Sequence, residues 1–186
     1  MNKLKTSHLA IISSLVALCV ATNYALVGVP NVKVMDFIVF VGGFCFGITS
    51  GALVGILSWT VYGVLNPYGF VPQIWLATMF SESIYGVVGG LLGKNFASTD
   101  FHDQRVRLII FFAATGFILT MVYDVITNIV YAWTLNIPVI TTMAVGAPFT
   151  VLHEISNTQI FGIGSAMMVT AIRKIFQGER FGISSK

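Results

Sequence analysis

Four carboxylates stand where apolar helices should be: Asp36, Glu82, Asp124 and Glu154. A charged side chain at the centre of a membrane helix costs about 2.5 to 3.5 kcal/mol on insertion scales, so such groups mark binding sites, ion paths or proton relays. Asp124 shares a helical face with Asn128 in "MVYDVITNIVYAW", and His153, Glu154 and Asn157 fall together in "HEISN". Thr120, Asp124, Thr127, Asn128 and Tyr131 form one stripe at helical spacing, Thr150, His153, Glu154 and Asn157 a second, and Trp75, Thr78, Glu82 and Tyr85 a third. Trp59 and Tyr62 share a face on a shorter segment. Acids, amides and a histidine interleaved with aromatic rings suit the capture of a small ring-bearing molecule. Asp36, Trp59, Glu82, Tyr85, Asp124, Asn128, His153 and Asn157 are therefore the candidate substrate-binding residues. Four acids against one lysine, Lys33, favour a ligand with a cationic or amine-bearing nitrogen ring.

Other chemistries fit less well. "HEISN" has Asn157 where the zinc motif H-E-x-x-H needs its second histidine, so no metal site is expected. No catalytic constellation is complete, and neither an enzyme nor a bound cofactor is expected. Nor is there a nucleotide-binding motif, so the chain cannot hydrolyse ATP alone, and nothing indicates nucleic acid. Cys19 and Cys45 both sit in apolar runs and read as packing residues rather than a disulfide framework.

The elements that must carry these residues are membrane helices. Of 186 residues, 56% are hydrophobic and only 9% charged, too few charges to cover a soluble surface. The runs do not alternate apolar and polar residues, which excludes barrel strands. The expected fold is an all-α integral membrane protein: one domain, residues 1–186, six transmembrane helices at about 8–29, 37–48, 51–65, 73–92, 108–134 and 148–176. The first run exceeds a usual signal core and reads as a retained helix. Residues 135–147 are expected to be a loop packed on the protein, with Pro148 opening the last helix. Basic residues set the orientation: nine of ten fall on the side of both termini, and only Lys33 lies opposite. Both termini are thus expected in the cytoplasm of a multi-pass protein in the cell membrane, surrounded by lipid. At 1.5 Å per residue, Glu82 and Asp124 lie roughly 14 to 15 Å from the outer helix ends, within the outer half of the bilayer. His153 and Asn157 fall at about 7 to 14 Å by the same rise. That is the layout of a cavity open to the outside.

The first helix differs from the rest. Ser13, Ala17, Ala21 and Ala25 repeat every fourth residue and make a smooth ridge on which another helix can pack. Internal packing and docking of a separate subunit are both open readings of that ridge.

This A-x-x-x-A repeat, the junction "GGFCFGITSGALVG" between two short helices, and polar residues on helices 4 to 6 resemble the substrate-binding S components of energy-coupling factor (ECF) vitamin transporters. The likeness covers nearly the whole chain. It implies that Ala17, Ala21 and Ala25 dock on a transmembrane coupling subunit. It also implies two partner ATPase subunits, and a substrate held by the loop after helix 1 and by helices 4, 5 and 6. The expected function is capture of a vitamin or related nitrogenous metabolite for ATP-driven uptake; the alternative is a stand-alone proton- or cation-coupled carrier.

Overall fold

A computed structural model describes residues 6–67, 69–96 and 105–182. Lys3, Lys5, Asp100, Asp103 and Lys186, which entered the charge count, lie outside the described residues. The described chain is all-helical: α1 (Thr6–Ala25), α2 (Met35–Phe46), α3 (Ile48–Val64), α4 (Pro72–Phe96), α5 (Arg105–Leu135) and α6 (Val139–Gly182). Four of these helices contain stretches long and apolar enough to cross a membrane: His8–Ala25, Pro72–Asn95, Val106–Leu135 and Val139–Ser165. The remaining two, α2 and α3, have 12 and 17 residues, or about 18 and 26 Å at 1.5 Å per residue, short of a hydrocarbon thickness of about 30 Å.

Glycine sets the packing of the middle helices. Gly47, at φ +92°, is the single residue between α2 and α3, and it turns the chain back in a conformation side chains disfavour. Gly43 and Gly51, on either side of that turn, both meet Gly86 of α4, so the three backbones touch with no side chain between them. Phe40 and Phe44 of α2 lie over Gly89 and Gly93, so α2 runs parallel to α4, whereas α3 runs against it. On the other side α5 and α6 form an antiparallel pair, with Gly116 against Phe161 and Gly162 against Ala113. A ring cluster of Phe37, Phe40, Phe112 and Phe161 joins α2 to that pair.

The bundle is apolar outside as well as within. Ile110, Ile118, Trp133, Ile140 and Val145 are among its most exposed side chains, whereas Asp36, Glu82, His153 and Asn157 have no exposed surface. Lipid, rather than water, is the solvent that such an exterior suits.

Two expectations need correction. Residues 139–147 form the first turns of α6 rather than a loop, and Pro148 lies inside that helix instead of opening it. Pro138 takes the opening role: its carbonyl accepts hydrogen bonds from the amides of Thr141 and Thr142. Asn136, at φ +55°, makes the turn from α5. A proline ten residues into a helix forfeits one intrahelical hydrogen bond, and apolar residues around it evidently suffice to hold the helix. Asp36 also belongs to the first turn of α2, not to the loop before it.

Candidate functional site

The polar residues converge inside the bundle, below the end where α1, α3 and α5 end and α2, α4 and α6 begin. Asp36 is in the first turn of α2, whereas Glu82, Asp124 and His153 lie well within their helices. Because α6 starts at Val139 rather than Pro148, His153 and Asn157 lie about 21 and 27 Å along it, deeper than expected. His153 of α6 is at the centre. Its Nε2 lies 2.7 Å from Asp36 Oδ2 and its Nδ1 lies 3.0 Å from Asp124 Oδ1. Both ring nitrogens therefore face carboxyl oxygens. Either the imidazolium donates to two carboxylates, or a neutral ring donates once and a protonated carboxyl donates to the other nitrogen. In both cases three groups share protons where none is more than 8% exposed.

Asn157, one turn along α6, extends the network. Its Nδ2 donates to Asp36 Oδ2 and to Thr120 Oγ1, both at 2.7 Å. Tyr85 of α4 donates to the same Thr120 oxygen at 3.0 Å. A continuous path of hydrogen bonds thus runs Tyr85–Thr120–Asn157–Asp36–His153–Asp124 and ties together α2, α4, α5 and α6. Beside it, Trp59 Nε1 of α3 donates to Glu82 Oε2 of α4 at 3.1 Å. Asp36 and Glu82 are close enough for their charges to interact.

Helical spacing explains the assembly. Asp124 and Thr120 are four residues apart, as are His153 and Asn157, so each pair presents two groups to the same neighbour. Tyr123 packs edge-on against His153 at 5.7 Å between centroids. The network is not fully satisfied: among the described residues, Asp36 Oδ1, Glu82 Oε1, Asp124 Oδ2 and Asn157 Oδ1 have no hydrogen-bond partner. Such buried orphans are uncommon in structural networks and recur at functional sites.

A cavity of about 390 Å³ opens at the same end of the bundle. Its walls come from Asn23 of α1, the segment 26–33, Trp59 and Tyr62 of α3, Asn66, and Phe149 of α6. The Asn31 amide donates to the Phe149 carbonyl at 2.9 Å and so fastens this segment to α6. The carboxylates and His153 are not on the walls. Trp59 and Lys33 stand between them and the void: Trp59 bonds to Glu82, and the Lys33 ammonium lies 5.3 Å from the Trp59 centroid and 4.9 Å from that of Tyr123.

Of the residues singled out from sequence, Asp36, Tyr85, Asp124, His153 and Asn157 join one network, and Trp59 and Glu82 form the adjoining pair. Asn128 does not join: its Nδ2 donates to the Asp124 carbonyl of its own helix at 2.7 Å, and its side chain packs on Gly146. Tyr131, on the same predicted stripe, is exposed. Glu154 is buried beside the network, with Oε2 unpartnered. Asp36 and Asp124 both meet His153, yet among the described residues no group of three His, Cys, Asp or Glu side chains has a metal-holding arrangement.

Three cavity residues escaped the sequence reading of the site. Asn23 is an amide in an apolar helix, on the face opposite the alanine ridge, and that alone marks it. Lys33 entered the sequence reading only as a charge set against the four acids and as a topology marker, yet among the described residues it is the basic residue that lines the cavity. Asn31 has the positive φ (+54°) that asparagine tolerates. On α1, Ala17, Ala21 and Ala25 are all exposed, whereas Ile12, Cys19 and Asn23 face inward.

No protein-family model, curated protein or solved structure matches this chain.

Proposed function

We propose that the chain is the substrate-capture subunit of an ECF-type transporter. It takes a vitamin or related small nitrogenous metabolite from outside, and separate subunits supply the ATP-driven work. The observation that carries this reading is the cavity of about 390 Å³ at one end of the bundle, with a buried polar network directly beneath it. That volume lies within the range of small-molecule sites, about 300 to 1,000 Å³. Its walls combine apolar side chains, the aromatic residues Trp59, Tyr62 and Phe149, and a few amides, the usual mixture for orienting a ring compound.

Six membrane spans with both termini cytoplasmic would put this end of the bundle on the outer face. The exposed ridge of Ala17, Ala21 and Ala25 supports a docking face for a transmembrane coupling subunit, because no helix among the described residues covers it. The short hairpin of α2 and α3 accords with the compact six-helix architecture of such subunits.

The test is uptake by cells that make the chain with and without a coupling module and its two ATPase subunits. Uptake only with the module supports the proposal.

The His153 network favours one second reading, a proton-coupled carrier, because chains of buried acids and histidine serve as proton relays. Reconstituted vesicles separate the two. Accumulation by this chain alone, driven by a proton gradient, would establish the carrier and refute the capture subunit.

A further inference from the structure

The substrate of this cavity can be narrowed by the charge and hydrogen-bonding groups that its walls present. Four acids in the sequence suggest a cationic ligand, but those acids are not what a ligand would meet. Asp36 and Asp124 are engaged with His153, Asp36 also with Asn157, and Glu82 with Trp59. None of them lines the void.

Lys33 does, and among the described residues it is the only charged one that does so. Its ammonium rests on the faces of Trp59 and Tyr123 and, among the described residues, has no carboxylate at salt-bridge distance, although the charges of Asp36 and Glu82 are near enough to act on it. An ammonium carries three N–H donors, and ring faces satisfy them only in part. Asn23 offers the converse. It is 5% exposed and lines the cavity; its Nδ2 meets only the weak acceptor Met35 Sδ at 3.4 Å, and its Oδ1 has no partner. The walls thus hold a cation in want of an acceptor and an amide oxygen in want of a donor. Between them, Trp59 and Tyr62 present rings 5.4 Å apart in an edge-on pair.

The geometry points to a carboxylated nitrogen heterocycle as the ligand, its carboxylate on Lys33, its ring against Trp59 and Tyr62, and a ring or side-arm N–H on Asn23. This rests on the capture reading and deepens it. A cationic amine in the same place would meet the like charge of Lys33 before it met any carboxylate, because Lys33 and Trp59 stand over the acids.

The test uses the full chain purified in detergent and two matched sets of probes. One set is pyridine-3-carboxylate, its carboxamide and 3-(aminomethyl)pyridine; the other is indole-3-acetate, its amide and tryptamine. Binding is read by calorimetry, and small molecules that co-purify with the wild type are identified by mass spectrometry. A carboxylate should bind best within its set. Lys33→Met should weaken it roughly 10- to 100-fold, the scale of one charge-assisted hydrogen bond, while Lys33→Arg retains it. Equal thermal unfolding of Lys33→Met and wild type excludes a folding defect; if Lys33→Met unfolds early, the Lys33→Arg and probe-charge comparisons decide. Tightest binding by an amine, or a co-purified molecule that is a cation, would overturn the inference and leave the capture reading standing. If no small molecule co-purifies and no probe of any charge binds, the capture reading falls as well.

Discussion

Replacing His153 with alanine should unlock the interior of this bundle. His153 is fully buried, and its two ring nitrogens are the partners of Asp36 Oδ2 and Asp124 Oδ1. Without the ring, Asp124 Oδ1 joins its already unpartnered Oδ2, and Asp36 keeps only Asn157. Removing one partner from a buried ionic pair costs about 3 to 5 kcal/mol, mostly because the remaining charge stays buried. For a chain of this size each kcal/mol moves Tm by about 2 to 4 °C, so a fall of roughly 6 to 20 °C is expected. The two cysteines supply the assay. Cys45 is exposed and Cys19 is fully buried, so in a Cys45→Ser background a thiol-reactive dye reports only the exposure of Cys19. The same assay tests the cause. Asp124→Asn should cost stability in the wild type but restore part of it in His153→Ala, since it removes the stranded charge. A drop of less than about 2 °C, or an Asp124→Asn effect equal in both backgrounds, would refute the linked network.

Other substitutions probe separate parts of the account. Gly86→Val should destabilise the fold by about 1 to 3 kcal/mol or more, because its Cβ would run into the backbone of Gly51; unchanged thermal unfolding would contradict the three-backbone contact. Trp59→Phe removes the indole hydrogen bond to Glu82, an expected loss of about 1 to 3 kcal/mol, measured by the same dye; a variant as stable as wild type would show that this bond contributes little. Ala21→Leu should keep ligand binding yet fail to co-purify with a coupling subunit, and full co-purification would remove the ridge as a docking face. Asp124 does not line the cavity, so Asp124→Asn should leave the ligand dissociation constant close to that of the wild type while lowering thermal stability, and a large loss of affinity would show that Asp124 takes part in binding.

The helical fold and the membership of the buried polar network were readable because both depend on short-range periodicity. Spacing of four residues put Thr120 with Asp124 and His153 with Asn157, and the structure joins those two faces directly. The same rule misled at Asn128, which satisfies itself on the carbonyl of Asp124 one turn back, a bond that an amide at this spacing makes without any neighbour. The start of α6 was misread because Pro148 carries a helix-opening signal. Pro138 carries the same signal ten residues earlier, and the intervening "VITTMAVGA", rich in β-branched residues and glycine, has weak helix propensity. Tertiary packing decided between the two prolines. The position of Lys33 over Trp59 and Tyr123 was illegible for another reason: it joins a loop, α3 and α5, and no local pattern encodes that meeting. Consequently the acids were legible as a cluster, but their separation from the cavity was not.

The central claim is that the void at the end of this bundle holds a small molecule. Mass spectrometry of ligands released from purified wild type and from Trp59→Ala, matched for folded protein, tests it most directly. The account predicts one small molecule at close to one per chain in the wild type and its loss from the variant. No bound molecule in the wild type, or the same amount in both proteins, would contradict it.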